Sequence, residues 1–159
     1  MDARNRGFSL VELLIVVTML AIIAAIAVPQ FLDASEDARE SALATDLQML
    51  RRQAQVYKMQ HGGRGPHLDE NDQLDKDNLS ARLTGRTTPE GKLDANGTYG
   101  PYMKQWPINP FCTGATAGQV VFGTDTSPPR DGSAGWYYNT KTCVISPNSE
   151  KGGKAFDPE

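Results

Sequence analysis

The sequence predicts an α+β protein, in which a long N-terminal helix, membrane-spanning in its first half, packs on a small three-stranded antiparallel sheet. Three observations lead to this prediction. The segment from Phe8 to Val28 is a long apolar run in which only Glu12 is charged. The next segment, from Gln30 to His61, contains no Gly or Pro and is rich in good helix formers. Three short runs of aromatic and β-branched residues follow near the C-terminal end.

The apolar segment is long enough to cross a membrane. A helix over residues 8–28 would be roughly 30 Å long, which is the thickness of the hydrocarbon core of a bilayer. Arg4 and Arg6 precede it, and basic residues favour the cytoplasmic side of a membrane. Pro29 follows directly and removes a backbone donor. We therefore expect a single span, with the rest of the chain outside the cytoplasm.

Glu12 is the one charged residue in this segment. A carboxylate costs about 2–3 kcal/mol near the centre of a membrane span, and such residues usually serve a function and have a partner. No Lys or Arg in the segment can serve as that partner. The nearest positive charge would be the α-amino group of Phe8, if the chain were cut just before it.

Residues 7–12, with the sequence Gly-Phe-Ser-Leu-Val-Glu, resemble the processing motif of type IV pilins and of the pseudopilins of type II secretion. The resemblance implies cleavage between Gly7 and Phe8 by a prepilin peptidase, followed by N-methylation of Phe8. It also implies that Glu12 neutralises the terminal amine of a neighbouring subunit. Pro29 matches the family as well, since this part of the helix bends or unwinds there on assembly.

Two other interpretations of the N-terminal segment remain open. It could be a plain signal anchor, with Glu12 tolerated near the membrane interface. It could also be a secretory signal peptide, because Ala25-Ile26-Ala27 fits a small-x-small cleavage pattern behind a basic region. Cleavage after Ala27 would remove Glu12 and release a soluble secreted binding domain.

The second half of the helix is amphipathic. Its apolar residues follow a 4-3-4-3 spacing that places them on one stripe, which we expect to pack on the sheet: Leu43, Leu47, Leu50, Ala54 and Tyr57. Gly62-Gly63 should end the helix. A short surface helix is predicted within Asp72–Leu83, and strands are predicted over Gln119–Phe122, Gly135–Asn139 and Cys143–Ser146.

These elements divide the chain into five parts. They are a leader peptide (1–7), a transmembrane and assembly helix (8–28), an amphipathic upper stem helix (29–61), a globular pilin-like head (62–146) and a flexible tail (147–159) with few apolar residues. Within the head, the segment from Tyr102 to Phe111 resembles a loop of the major pseudopilins with the pattern Tyr-x-x-x-x-Pro-x-x-Pro-aromatic. We expect its aromatic rings to fill the gap between the helix and the sheet.

Four residues of the head are candidates for bonds that stabilise it. Cys112 and Cys143 are the two cysteines, and in an exported protein such a pair favours a disulfide over two free thiols. Major pseudopilins commonly bind calcium in a loop near the sheet, and the resemblance offers Asp125 and Asp131 as ligands. Two carboxylates are few for calcium, and Arg130 lies between them.

The sequence favours a structural protein over an enzyme or a nucleic-acid-binding protein. The net charge of −3 provides no basic surface, and no metal-ligand cluster, nucleophile elbow or Cys-x-x-Cys motif is present. The resemblance implies a subunit, most like the major one, of a type II secretion pseudopilus that drives protein export. A type IV pilus subunit for adhesion, motility or DNA uptake is the alternative.

The same resemblance implies the partners and the location. The partners would be further copies of the chain, related pseudopilins, the prepilin peptidase and methylase, and the inner-membrane assembly platform of the secretion system. The chain would cross the bacterial inner membrane once with its head in the periplasm, and would lie in a periplasmic pseudopilus when assembled. No cofactor is expected apart from calcium.

Overall fold

The computed structural model describes residues 8–151 and confirms the α+β fold class. Its helices and strands, in chain order, are α1 (Leu10–Gln60), α2 (Leu79–Thr84), a 3₁₀ helix (Gly114–Gly118), β1 (Val120–Gly123), β2 (Trp136–Asn139) and β3 (Val144–Pro147). The chain forms two compact units, divided between Ala38 and Arg39. Among the described residues, the first unit contains the first part of α1 as its one element, and the second contains the end of α1 and the other elements.

Helix α1 continues through Pro29 without interruption. Because proline has no N–H group, the carbonyl group four residues earlier, at Ala25, lacks its usual helical donor. The helix ends as predicted at two glycines, Gly62 and Gly63, whose φ angles of 63° and 92° suit glycine. The amide of Gly63 donates to the carbonyl of Lys58 at 2.8 Å, which closes the helix end.

The predicted stripe of α1 forms the centre of the head's core. Its five residues are at most 3% exposed. They pack with side chains from α2, from the loop after α2, and from β2 and β3, namely Leu79, Leu83, Met103, Trp136, Tyr138 and Ile145. Burying one large apolar side chain contributes about 1.5–3 kcal/mol, so this cluster is the main source of stability in the head.

Helix α2 starts later than predicted, and it is not a surface helix, because Leu79 and Leu83 are at most 1% exposed.

The sheet is mixed, and the prediction of a purely antiparallel sheet is corrected here. The strand order is β1-β2-β3. Strands β2 and β3 form the predicted antiparallel pair, with Tyr138 opposite Ile145. Strand β1 instead runs parallel to β2, with Val120 opposite Trp136. The connection over residues 124–135 is about a dozen residues long, which is enough to carry the chain back to the starting end of β1.

The head also extends beyond its predicted end at Ser146. Strand β3 includes Pro147, and the side chains of Asn148 and Ser149 are at most 1% exposed. These polar residues are buried because they bond to neighbouring loops, a possibility that a search for apolar residues misses. The predicted leader, residues 1–7, and the last part of the predicted tail, residues 152–159, lie outside the described residues.

Candidate functional site

The first half of α1 presents an apolar surface on all sides. All side chains of residues 8–34 are exposed. The large apolar ones among them are between 48% and 83% exposed: Phe8, Leu10, Val11, Leu13, Leu14, Ile15, Val16, Val17, Met19, Leu20, Ile22, Ile23, Ile26, Val28, Phe31 and Leu32. By length and composition, this helix can cross a membrane. A surface of this kind has to be covered by lipid or by other protein chains.

Glu12 lies in the first turn of α1 and is exposed. Neither the Arg64–Asp72 nor the Arg82–Asp75 ion pair includes it. The positive end of the helix dipole favours an anion here by about 0.3–1 kcal/mol, which does not replace a full ionic partner. Phe8, just before the helix, is 78% exposed. Gly7, on the other side of the predicted cleavage position, lies outside the described residues.

The aromatic and proline segment from Tyr102 to Phe111 packs against the core, as predicted. The hydroxyl of Tyr102 donates to Oε1 of Gln60 at 2.7 Å, and Nε1 of Trp106 donates to the carbonyl of Gly118 at 2.9 Å. Tyr102, Trp106 and Phe111 all contact the core cluster. Their rings therefore serve to fill the head.

A buried arginine is the main polar contact that the sequence analysis did not find. Arg82, in α2, is 3% exposed. Its guanidinium group donates to Oδ2 of Asp75 at 2.7 Å, to the carbonyl of Gly91 at 3.0 Å and to the carbonyl of Pro66 at 3.3 Å. Burial opposes ionisation of Asp75, but hydrogen bonds from Asn78 and Arg82 outweigh it and lower the pKa of Asp75 below 3.8. Arg82 thus joins three loop segments to α2.

One signal in the sequence indicated this burial. Arg82 follows Leu79 by three residues, so both lie on the same face of α2. That face is the buried one.

The two histidines are structural residues of the head. His61 is 5% exposed and stacks on Tyr57 with a centroid distance of 3.8 Å, while its Nε2 lies 3.0 Å from Oγ1 of Thr87. His67 is 4% exposed, and its Nδ1 lies 2.9 Å from the hydroxyl of Tyr138. Burial, together with the positive charges of Arg82 and Lys58, lowers the pKa of His67 below 6.5. His67 is therefore neutral at physiological pH.

The predicted disulfide is not formed in the structure, where both cysteines are free. The Sγ atom of Cys112 lies 3.8 Å from the carbonyl of Ala134, just before β2. The amide of Cys143 donates to the carbonyl of Asn139, at the other end of β2. Residues 134 and 139 are roughly 16 Å apart in an extended strand, whereas disulfide-bonded Cα atoms lie about 4.4–6.8 Å apart. Loop lengths in the sequence do not reveal this separation.

The predicted calcium ligands lie in the loop between β1 and β2, but their surroundings do not fit a cation. Three donors point at Oδ1 of Asp131: the amide of Ser133 at 3.0 Å, its hydroxyl at 2.7 Å, and the side-chain amide of Asn148 at 2.9 Å. These bonds lower the pKa of Asp131 below 3.8. Nowhere in residues 8–151 do three or more His, Cys, Asp or Glu side chains form a group that could hold a metal ion.

Comparison with known proteins agrees with the features of α1. Residues 2–28 match the prokaryotic N-terminal methylation motif, which includes the predicted cleavage position and Glu12. The chain is also 31% identical over 108 residues to the type II secretion system core protein G of Klebsiella pneumoniae, covering 68% of this chain and 70% of that protein. The chain belongs to the type IV pilin-like family.

Two further members of the type IV pilin-like family are similar to it. The core protein G of Vibrio cholerae serotype O1 is 31% identical over 68% of this chain and 66% of its own length. The type IV major pilin protein PilA of Myxococcus xanthus is 47% identical over 49 residues, which is 31% of this chain and 22% of that pilin. The chain thus spans about two thirds of the Vibrio protein and less than a quarter of the pilin. No solved structure matches it.

Proposed function

We propose that this chain is a structural subunit of a type II secretion pseudopilus, which assembles through α1 to drive protein export. The observation that carries the proposal is the similarity to core protein G, which extends over 68% of the chain and so includes much of the head. The apolar surface of residues 8–34 supplies the means of assembly. A structural role also agrees with the head, in which the buried side chains of His61, Arg82 and Asn148 are hydrogen-bonded to other parts of the head.

In the proposed mechanism, the chain is cleaved between Gly7 and Phe8, and the new terminus at Phe8 is methylated. Helix α1 then leaves the lipid and packs against the α1 helices of other subunits, so that contacts with lipid are exchanged for contacts with protein. Phe8 and Glu12 are four residues apart, or about 6 Å along a helix. The amine at Phe8 of one subunit can therefore meet Glu12 of another at a defined axial offset.

Glu12 would set the register of assembly. A helix that docks out of step leaves its carboxylate buried without a cation, and breaking a buried ion pair in this way costs about 3–5 kcal/mol. The correct offset avoids that penalty. The apolar side chains alone would tolerate several offsets, because they cover all sides of the helix.

Partners and location follow from the same proposal. Before assembly, residues 8–28 anchor the chain in the bacterial inner membrane, with the head in the periplasm. The prepilin peptidase and methylase act on residues 7 and 8, and the inner-membrane platform of the secretion system adds the subunit to the pseudopilus. The other subunits are copies of this chain and related pseudopilins.

The register mechanism is tested with Glu12→Ala, expressed in the host in place of the native chain. We expect the variant to reach the membrane in normal amount but to form few filaments, measured by shearing or cross-linking. Glu40→Ala is the matched control, because Glu40 is an exposed acidic residue of the same helix outside the apolar segment. Normal filament yield from Glu12→Ala would refute the mechanism.

Processing is tested by the intact mass and the N-terminal residue of the native protein. A chain that starts at methylated Phe8 supports the proposal, and the match to the methylation motif favours this result. A chain that starts at Val28 would lack Glu12 and the anchor. It would then be the secreted binding domain considered from the sequence.

A type IV pilus subunit is the second candidate, favoured by the 47% identity with the Myxococcus pilin. Deletion of the gene separates the two functions. A pseudopilus subunit predicts that secreted proteins accumulate in the periplasm while surface filaments and motility persist. A pilus subunit predicts the loss of surface filaments with secretion intact.

A further inference from the structure

The loop between β1 and β2, residues 124–135, is attached by the buried residue Asn148 to the segment that follows β3. Asn148 follows β3 directly and is 0% exposed. Its side-chain NH₂ group donates to Oδ1 of Asp131 at 2.9 Å and lies 3.4 Å from Oγ of Ser133. Its side-chain oxygen accepts a bond from the amide of Arg130 at 2.8 Å. Both halves of this amide group are therefore used to hold the loop.

The backbone of Asn148 extends the same attachment. Its carbonyl accepts a bond from the amide of Gly132 at 3.0 Å, and its amide donates to the carbonyl of Gly135 at 3.0 Å. Five contacts of one residue thus reach residues 130–135. Because Asn148 is 0% exposed, its own polar atoms are shielded from water and are expensive to leave without partners.

The first part of the loop is held from the central strand. The hydroxyl of Tyr137 and the side-chain amide of Asn139 both donate to the backbone carbonyl of Asp125, at 2.8 and 2.9 Å. A carbonyl of this kind is a common calcium ligand, but here its lone pairs point at two protein donors. The side chain of Asp125 is exposed.

The chemistry at Asp131 also favours donors over a cation. Its Oδ1 atom accepts three hydrogen bonds, so the negative charge of the carboxylate is already compensated by N–H and O–H dipoles. A calcium ion needs six to eight oxygen ligands at about 2.3–2.6 Å, and it would have to displace these donors. The NH₂ group of Asn148 is one of the three donors to Oδ1 of Asp131 that a cation would have to displace.

We propose that a clamp of protein hydrogen bonds centred on Asn148 fixes the β1–β2 loop, and that the head therefore folds and remains stable without calcium. The proposal rests on the contacts of the loop and not on the proposed function. It assigns to Asn148 the structural role that the family resemblance would give to a metal ion.

The test uses the full chain in detergent and follows thermal unfolding by tryptophan fluorescence. Both tryptophans, Trp106 and Trp136, lie in the head and contact its core. Melting is compared in excess EGTA and in millimolar calcium. We expect the two midpoints to agree within about 1 °C, whereas calcium that stabilises the folded state should raise the midpoint by about 5 °C or more. A rise of that size in the native chain would overturn the proposal, whatever the variants do.

Two variants of Asn148 and a control make the test specific. Asn148→Ala should lower the midpoint by about 5 °C or more, and calcium should not restore it. Asn148→Asp should place a second carboxylate beside Asp131, so that its midpoint falls in EGTA and recovers in calcium. Asn96→Ala is the control, because the Asn96 side chain is exposed in a loop. Equal midpoints for Asn148→Ala and Asn96→Ala would overturn the clamp.

Discussion

Replacing Arg82 by alanine should destabilise the head more than any comparable change of a surface charge. The substitution removes the donors to Asp75, Gly91 and Pro66 at once. It leaves a carboxylate that is only 22% exposed without its cation, and two carbonyl groups without donors. The three loop segments that Arg82 joins would also lose their common attachment to α2.

The expected magnitude follows from these contacts. Removing one partner of a buried ion pair costs about 3–5 kcal/mol. Asp75 retains the hydrogen bond from Asn78 at 2.9 Å and some contact with water, which favours the lower end of that range. We therefore expect Arg82→Ala to lower the free energy of unfolding by about 3 kcal/mol. A loss of this size is a large fraction of the stability of a small domain.

The matched control is Arg64→Ala, which breaks a more exposed ion pair of the head. Arg64 contacts Asp72 at 2.7 Å, but the two side chains are 20% and 65% exposed. An exposed pair of this kind contributes about 0–1 kcal/mol. Urea unfolding in detergent, followed by tryptophan fluorescence, measures the loss of unfolding free energy for both variants. The comparison holds if the slope of that free energy against urea concentration is the same as in the native chain. Equal losses for the two variants would refute the assignment of Arg82 as a buried attachment point.

Three further predictions concern the sheet, the pH dependence and the thiols. Gly135→Ala would place a methyl group against the backbone carbonyl of Ala117 and should lower the free energy of unfolding by about 3 kcal/mol. At Gly118 an added methyl group makes only ordinary contacts, so Gly118→Ala should leave the free energy of unfolding unchanged in the same assay. Because folding lowers the pKa of His67, its contribution to the free energy of unfolding should be fully present above about pH 6.5 and decrease as the pH falls below that value. His67→Gln should reduce this dependence of the melting temperature on pH. Alkylation of the denatured, unreduced chain should label both Cys112 and Cys143, since a chain that gains no label would contain the disulfide.

The helical part of the fold was predictable because its signals are local. The apolar run, the absence of Gly and Pro between residues 30 and 61, and the 4-3-4-3 spacing each report the environment of a helix. The stripe from Leu43 to Tyr57 is buried as that spacing requires, and the motif around Glu12 identified the family before any comparison. The three strands were found within one residue of their observed positions.

The remainder depended on contacts that sequence spacing does not encode. The direction of β1 is set by how the loop over residues 124–135 returns, and no run of residues reveals that path. The burial of Arg82 and Asn148 depends on carbonyl and carboxylate groups supplied by distant loops. The separation of Cys112 and Cys143 follows from the position of β2 between them, which neither their number nor the expected export of the chain reveals.

The arrangement of the core also sets the order in which the head can form. Synthesis proceeds from α1 to β3, so the stripe on α1 emerges long before Trp136, Tyr138 and Ile145, the side chains it packs against. The contacts of Asn148, which follow β3, can form only when almost the whole chain has been made. Contacts between distant parts of a chain form slowly. The core can therefore be completed only after β3 has been made, and until then the uncovered leucines of α1 expose the head to proteases and to aggregation.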